Sequence, residues 1–302
     1  MTSRTAEIST DIRSLVRKDR PGEVLVAGWT ELPGLVQQVN VRWPKHHTFY
    51  REGSHYTPLL FTESLRQALA LVSNQVHQIP LGHRLGWEQI RSWIVPSLLE
   101  VQDCDTEIIM VVSHPSVTRR RMGSAHLVSH VYALKSGQAV GGAELHWSAY
   151  PPAIYNRLRG QYASAPEAFA RALPLTPPVS PALVGRRDPA NVVLSPTERP
   201  GHWQLRVDTG NGVLFDHPHD HVPGMVLLEA AAQAAQACLP GPVLTSAFDT
   251  QFVRYVELDQ PCYITAVPGL ADADGRTVVQ VNAVQRGNSV LTTTVTTESS
   301  PN

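Results

Sequence analysis

The stretch Phe215–Gln233 reads Phe-Asp-His-Pro-His-Asp-His-Val-Pro-Gly-Met-Val-Leu-Leu-Glu-Ala-Ala-Ala-Gln. Three histidines and two aspartates precede a Pro-Gly step, and an almost wholly apolar segment follows it. In that segment Glu229, Gln233 and Gln236 share one face of a helix, because they are spaced by four and then three positions. A helix that is apolar nearly all round is typical of a domain centre. The stretch therefore predicts a buried helix around which a domain is built.

A carboxylate on such a helix is a candidate for proton transfer. Burial disfavours the charged form of a carboxyl group and raises its pKa, which suits general acid–base chemistry. We therefore expect Glu229 to face a largely dry interior and to be catalytic. The alternative is that Glu229 lies at the top of a narrow solvent-exposed stripe on an ordinary amphipathic helix.

The chain contains a second copy of the same pattern. In both copies the order F-x5-H-x7-E-x3-Q opens an apolar helix with a proline near its start, a position that tolerates proline. The identities, each 166 positions apart (215 − 49), are Phe49 with Phe215, His55 with His221, Glu63 with Glu229, and Gln67 with Gln233. The match predicts a duplicated domain with a candidate catalytic Glu and His in each copy.

The rest of the chain is consistent with two such domains. We predict an N-terminal repeat over residues 20–150, a Pro-, Ala- and Arg-rich linker over 151–196 and a C-terminal repeat over 197–300. Residues 1–20 are expected to form a loose arm or a short helix. Each repeat combines one long helix, the first over 58–75, with several alternating or β-branched segments such as Thr292-Thr-Thr-Val-Thr-Thr. This pattern predicts an α+β fold in which an antiparallel sheet wraps a long central helix, twice over.

Composition excludes several classes of protein. The formal net charge of −1 argues against a nucleic-acid-binding surface, and no run approaches the roughly 18 apolar residues of a membrane span. The N-terminus lacks an apolar signal core, so we expect a cytoplasmic protein. Three cysteines, widely spaced and odd in number, argue against a disulfide framework and a cysteine zinc site. They are Cys104, Cys238 and Cys262.

The histidine-rich stretch also raises the question of a metal. Histidine and carboxylate side chains are suitable zinc or iron ligands, and the residues of this type are Asp216, His217, His219, Asp220 and His221. However, the first repeat has no matching set, and ligands so close in sequence rarely all point to one centre. We therefore predict no metal and no other cofactor.

The residues that open the second helix resemble those of a known family. The opening Pro-Gly-Met-Val-Leu-Leu-Glu is similar to the central helix of hotdog-fold 3-hydroxyacyl-carrier-protein dehydratases. The longer motif His217-Pro-His-Asp-His-Val-Pro-Gly-Met-Val-Leu-Leu-Glu-Ala-Ala more closely resembles the A-factor biosynthesis (AfsA-type) family of γ-butyrolactone and furan signal synthases. That family carries two such repeats, so the resemblance covers most of the chain and implies a tandem (double) hotdog.

The resemblance implies an acyltransferase. Its members move a β-ketoacyl group from an acyl carrier protein to a hydroxyl of dihydroxyacetone phosphate, the first step towards a γ-butyrolactone, butenolide or furan signal that controls antibiotic production. Members often have Arg before the Gln of the second helix. Here that position is Ala232, whereas the first helix has Arg66. Either repeat is therefore a candidate for the working site. Alternatively, an arginine at another position of the chain takes the role of the missing one.

Transfer of an acyl group to an alcohol needs a base, an oxyanion site and a cation for the phosphate. The base is expected to be Glu229 or Glu63, with His221 or His55 as its partner or as an alternative base. The first backbone N–H groups of the second helix, from Gly224, are candidates for the oxyanion site. Further substrate-binding candidates are Arg51, Arg66, Gln67, His217, His219, Gln233 and Arg254.

Other residues have more than one interpretation. The run Arg119–Arg121 is a candidate for phosphate binding, for docking an acidic carrier protein or for a solvated strand end. Gln67 and Gln233 are expected to be polar partners within the fold. With Cys238 in an apolar helix and no Gly-x-Ser-x-Gly motif, direct transfer without an acyl-enzyme is expected.

Two other functions compete with the transferase. One is a thioesterase or dehydratase that acts on an acyl carrier protein, although the residue eight positions before Pro223 is Phe215 and not the catalytic histidine of the dehydratases. The other is a non-catalytic double hotdog that binds acyl chains and acts as a regulator.

Overall fold

The computed structural model describes residues 12–120 and 122–299, which form two compact units that divide between Leu158 and Arg159. Most of the predicted N-terminal arm, Arg121 of the arginine run, and residues 300–302 lie outside the described residues. None of the described helices is both long and apolar enough to cross a membrane.

The first unit pairs one long helix with a six-stranded antiparallel sheet of order β1-β2-β6-β7-β8-β5 and a small β3–β4 hairpin. Its helices are α1 (Ile12–Leu15), α2 (Pro58–Gln75) and α3 (Pro152–Arg159), the last of which reaches the boundary. Its strands are β1 (Val26–Leu32), β2 (Val36–Trp43), β3 (Arg51–Glu52), β4 (His55–Tyr56), β5 (Arg84–Ile94), β6 (Thr106–Arg119), β7 (Ala125–Lys135) and β8 (Gln138–Tyr150).

The second unit repeats this plan with a sheet of order β11-β14-β13-β12-β10-β9. Its helices are α4 (Ala165–Ala170) and α5 (Gly224–Ala237). Its strands are β9 (Leu194–Pro196), β10 (His202–Leu205), β11 (Val243–Phe252), β12 (Cys262–Ala271), β13 (Thr277–Gln285) and β14 (Asn288–Ser299). Short 3-10 helices cover Pro21–Glu23, Pro96–Leu99, Gly160–Tyr162, Pro181–Val184 and Pro189–Asn191.

Each central helix packs on the sheet of its own unit. α2 contacts β1, β2, β5 and β6, and α5 contacts β9 and β11 to β14. Alternation along β7 buries Leu127, Ser129 and Val131 on the face that meets the core, as a period of two requires. The predicted plan of a long helix wrapped by an antiparallel sheet, twice over, is confirmed.

The elements follow the sequence prediction with local differences. α2 covers the predicted residues 58–75, and β11 in the second unit ends at Phe252. The chain leaves the sheet there because Val256 O accepts a hydrogen bond from Val222 N, just before α5. The predicted linker contains α3, α4 and β9, and β9 pairs with β10 in the second sheet.

Candidate active site

A glutamine on α5 ties that helix to the start of β9. The side-chain Oε1 of Gln233 accepts a hydrogen bond from Val193 N at 2.9 Å. Its Nε2 donates to Asn191 O at 2.8 Å and to Glu229 Oε1 at 2.6 Å. Gln233 and Glu229 are both buried. The glutamine therefore fixes both the helix and the carboxylate one turn before it.

The first unit repeats this arrangement around Gln67. Its Oε1 accepts from Leu25 N at 2.8 Å, and its Nε2 donates to Glu23 O at 2.7 Å and to Glu63 Oε1 at 2.8 Å. Both units therefore orient a buried glutamate with the same three contacts. In this geometry each glutamine side chain is fully engaged between the backbone and the glutamate one turn before it.

Each buried glutamate also pairs with a cation from the segment that precedes the strand. Lys18 Nζ lies 3.1 Å from Glu63 Oε1. In the second unit Nε and Nη2 of Arg186 lie 2.8 and 2.6 Å from Glu229 Oε1. Lys18 and Arg186 are 168 positions apart (186 − 18), two more than the separation of the helix motifs. The duplication therefore extends upstream of the helix, with two fewer connecting residues in the second copy.

This upstream repeat has a sequence signal that the sequence prediction missed. Residues 16–26 read VRKDRPGEVLV and residues 184–194 read VGRRDPANVVL, so that a valine, a basic residue, a proline and a second valine recur in register. Pro21–Glu23 and Pro189–Asn191 form equivalent 3-10 helices. Residues 16–20 of the first segment were predicted as part of an arm, and the whole second segment was predicted as part of a linker.

The two glutamates differ in how many cations they meet. Arg66 donates from Nε to Glu63 Oε2 at 2.9 Å and from Nη2 to Oε1 at 2.8 Å. Burial acts to raise the pKa of Glu63, but the charges of Arg66 and Lys18, with hydrogen bonds from Arg66 and Gln67, hold that pKa well below its ordinary value. Both carboxylate oxygens of Glu63 are therefore engaged, and its charged form is stabilised.

Glu229 keeps one carboxylate oxygen available. Ala232 stands where the first helix has Arg66, and the three donors from Arg186 and Gln233 all meet Oε1. Glu229 Oε2 makes no hydrogen bond to any other residue in 12–120 or 122–299. Glu229 is buried, as expected. In addition, the guanidinium group of Arg186, which does not belong to the helix, lies against its carboxylate.

A histidine–aspartate pair lies just before α5. His221 Nδ1 is 2.9 Å from Asp220 Oδ1, and the side chain of His221 is about one-quarter exposed. Tyr255 covers the imidazole edge-on, with ring centroids 4.7 Å apart. An acceptor at Nδ1 favours the tautomer with its proton on Nδ1, which leaves Nε2 free to accept one.

The aspartate of this pair is itself fixed by a buried arginine. Arg159 donates from Nε to Asp220 Oδ2 at 3.0 Å and pairs with both carboxylate oxygens of Glu257 at 2.8 and 2.7 Å. Its guanidinium also lies 4.3 Å from the ring centroid of Tyr255. Burial acts to lower the pKa of Arg159, but its bonds with Glu257 and Asp220 raise it overall. No local sequence pattern links these residues.

The first unit lacks this charged pair. At the position equivalent to Asp220 it has Ser54, whose hydroxyl lies 3.0 Å from His55 Nδ1. Its helix also opens with Pro58, which has no N–H, where α5 opens with Gly224. The first N–H groups of a helix have no intrahelical acceptor. Only α5, of the two central helices, therefore offers an N–H at its first position.

The remaining predicted residues lie around these features. The rings of His217 and His219 stack with centroids 4.3 Å apart, and His219 lies edge-on to Phe215 and His221. Within the described part of the second unit, no three of the metal-type side chains of residues 216–221 bring ligand atoms within 4.8 Å of one another. The histidine rings are therefore arranged by stacking.

The predicted arginines differ in their surroundings. Arg51 donates to Lys45 O and Gly53 O, both at 2.8 Å, so it closes its own loop. Arg119 donates to His77 O. Arg254 is exposed and directly precedes Tyr255.

The sequence matches a known family profile and named relatives. A profile of the A-factor biosynthesis hotdog domain matches residues 2–151 and 168–300. A 2-oxo-3-(phosphooxy)propyl 3-oxoalkanoate synthase of Streptomyces virginiae is 36% identical over 285 residues, which cover 94% of this chain and 96% of the relative. A protein of the same name from Streptomyces coelicolor is 35% identical, over 93% of this chain and 90% of the relative.

Solved structures with a similar fold include two thioesterases. A putative oleoyl thioesterase from Lactobacillus plantarum is similar with a TM-score of 0.52 and 14% identity, over 88% of this chain and 97% of that one. An acyl-ACP thioesterase from Bacteroides thetaiotaomicron gives 0.50 and 11%, over 87% and 98%. With the two-part family match, these likenesses confirm the tandem hotdog fold. The chain therefore belongs to the A-factor biosynthesis hotdog domain family.

Proposed function

We propose that this protein is an acyltransferase that esterifies dihydroxyacetone phosphate with a 3-oxoacyl (β-ketoacyl) group. The observation that carries this proposal is the 36% identity to the Streptomyces virginiae synthase over 94% of this chain. The 2-oxo-3-(phosphooxy)propyl part of that protein's name is dihydroxyacetone phosphate without its free hydroxyl group, and the 3-oxoalkanoate part is the 3-oxoacyl group together with the ester oxygen. An acyl carrier protein is the proposed donor, and the ester is the proposed precursor of a γ-butyrolactone or furan signal.

The reaction is a transfer of an acyl group from sulfur to oxygen. The hydroxyl oxygen attacks the thioester carbonyl carbon and forms a new C–O bond while its proton passes to a base. The tetrahedral intermediate then collapses, the C–S bond breaks, and the thiolate takes up a proton. Nothing is oxidised or reduced. Because the hydroxyl loses its proton and the tetrahedral intermediate carries a negative oxygen, the protein must supply a base and stabilise an oxyanion.

His221 is the proposed base. Asp220 accepts at Nδ1, and Arg159 and Glu257 hold Asp220 in place, so that Nε2 is available for the hydroxyl proton. A carboxylate partner also stabilises the imidazolium that forms during the reaction. Ser54 gives His55 no such charge, which favours the second repeat as the working one.

Glu229 and the start of α5 complete the proposed site. Glu229 Oε2 is an acceptor that would orient a substrate hydroxyl, whereas both oxygens of Glu63 are occupied. The first N–H groups of α5, beginning with Gly224, are the proposed oxyanion donors. His217, His219 and Arg254 remain proposed substrate contacts in the same unit.

A mass-spectrometric assay tests this function. The full chain would be incubated with dihydroxyacetone phosphate and a β-ketoacyl thioester, offered on an acyl carrier protein and separately on pantetheine. The expected product is the acyl phosphate ester, formed faster from the carrier-bound donor. Free acid would instead support a thioesterase, an enoyl thioester a dehydratase, and binding without turnover a regulator.

The matched pair His221→Gln and His55→Gln locates the site. Loss of a general base costs about 10²- to 10⁴-fold in rate, so we expect a decrease of that size in His221→Gln and a change of less than about threefold in His55→Gln. Melting temperatures within a few degrees of the wild type would show that both variants fold. Equal losses in the two variants, or a loss in His55→Gln alone, would reject the second repeat as the working one.

A further inference from the structure

The first repeat has an arginine where its counterpart has a glycine. Arg17 adopts a left-handed backbone conformation with φ of 58°, and Gly185, 168 positions later, has φ of 67°. The surrounding hydrogen bonds are equivalent: Arg17 N donates to Ser14 O as Gly185 N donates to Ala182 O. Glycine takes this conformation without steric cost, whereas a residue with a Cβ does not. The arginine is thus retained at a strained position, which is typical of functional sites.

The Arg17 side chain belongs to a chain of arginines in the first unit. Its Nη1 donates to His83 O at 2.6 Å, which places the guanidinium next to the backbone of Arg84. Arg66 Nη2 in turn lies 3.3 Å from Val16 O, beside Arg17. Arg84 stands over the ring of Tyr155, with 5.9 Å from its Cζ to the ring centroid. Two of these guanidinium groups are thus anchored to backbone carbonyls, and the third lies over an aromatic ring.

Among the described residues, the charges that shift the pKa of Arg17 come from arginines and not from an acid. Burial first, and then the like charges of Arg66 and Arg84, together lower the pKa of Arg17 to about 10. Arg66 is engaged by Glu63, which also takes Lys18. The charges that act on Arg17 are therefore positive, an arrangement that an anionic ligand would stabilise.

Two buried nitrogens at this place make no hydrogen bond to the described part of the chain. Arg17 Nε and His83 Nδ1 are fully buried and make no hydrogen bond within residues 12–120 and 122–299. His83 Nε2 lies 3.3 Å from Gly123 O. Buried donors and acceptors without a partner are rare and costly. An N–H of an arginine that is buried and unbonded beside other cations indicates a ligand with several anionic oxygens.

We propose that Arg17, His83 and Arg84 form a binding site for a phosphate group. Planar guanidinium groups match phosphate oxygens with paired, charge-assisted hydrogen bonds. Which molecule bears the bound phosphate rests on the proposed function. That reaction involves two phosphate-bearing groups: dihydroxyacetone phosphate and the phosphopantetheine arm of the acyl donor. Arg66 lies behind the site and fixes the backbone at Val16.

Direct binding measurements on the full chain test the site without turnover. Isothermal titration would use inorganic phosphate, dihydroxyacetone phosphate and 4′-phosphopantetheine, each without an acyl thioester. In Arg17→Gly the glycine fits the left-handed backbone, so we expect a melting temperature equal to or above that of the wild type. Loss of a charge-assisted bond should weaken phosphate binding by about tenfold or more.

The control is Arg286→Gly, which removes an arginine with φ of 53° from an exposed turn in the second unit. It should gain stability in the same way and bind phosphate as the wild type does. A loss in Arg17→Gly for one carrier only identifies the source, and Arg84→Gln should reproduce it. Unchanged binding of all three ligands in Arg17→Gly would overturn the site. Failure of ester formation with intact phosphate binding would reject only the proposed transferase.

Discussion

At the scale of single residues, two substitutions between the repeats separate a structural site from a candidate catalytic one. Ala232 replaces Arg66 and leaves one oxygen of Glu229 unbonded within the described residues, and Asp220 replaces Ser54 and gives His221 a charged partner. Both changes act on a side chain that the repeats share. The same buried Glu and the same His therefore differ in chemistry because of one neighbour each.

An arginine at position 232 should compete with the substrate for Glu229 in this chain. Ala232→Arg would place an arginine three positions after Glu229, just as Arg66 lies three positions after Glu63. Its guanidinium group would occupy Glu229 Oε2. We expect ester formation to fall by about tenfold or more, since a substrate contact is lost. Melting temperature should change little, because Ala232 is only partly buried. Steady-state assays and thermal melts would measure both; full activity in a folded Ala232→Arg would show that Oε2 is not used.

At the scale of elements, the end of α2 carries a pair of histidines that makes the first unit sensitive to acid. The rings of His77, just after α2, and His114, on β6, meet edge-on with centroids 4.4 Å apart. Burial and, after it, the charge of Arg119 lower the pKa of His77. Burial and, after it, the charge of His77 lower the pKa of His114 to about 3. Ser129 Oγ lies 2.8 Å from His114 Nδ1.

This pair should be most stabilising when neutral. A histidine whose pKa is depressed in the folded state contributes stability above its unfolded pKa of about 6.5 and loses it as the pH falls below that value. Between pH 7.5 and pH 5 we expect the folded state to lose on the order of 1–2 kcal/mol from His114. Urea titrations across this range would measure it. His114→Asn, which keeps an acceptor for Ser129, should show a shallower pH dependence; an unchanged slope would contradict the assignment.

At the scale of the whole molecule, the duplication keeps the architecture in both halves and allows the chemistry to differ between them. The glutamine contacts, the cation from the upstream segment and the 3-10 helix before the strand all recur. These features hold each helix on its sheet. The residues around His221 and Glu229 depart from the pattern without disturbing those contacts.

The cysteines give a prediction for the molecule as a whole. Burial raises the pKa of Cys238 and, to about 12, that of Cys262, so both are protonated at neutral pH. Cys104 is exposed. We expect iodoacetamide at pH 7.5 to alkylate Cys104 with ester formation retained, as direct transfer requires. Mass spectrometry of the protein would locate the label, and inactivation that tracks labelling of Cys238 or Cys262 would indicate an acyl-enzyme instead.

The sequence by itself determined the duplicated α+β plan, the two central helices with their Glu and Gln, and the family. These features follow from local periodicity, from spacing repeated at 166 positions and from a specific motif, all of which are visible along the chain. Only the tertiary structure decided the partners of those residues. Arg186 reaches Glu229 across 43 positions and Arg159 reaches Asp220 across 61. Such pairs form when folding brings distant segments together. Local propensities do not specify which charged side chain will lie beside a given carboxylate.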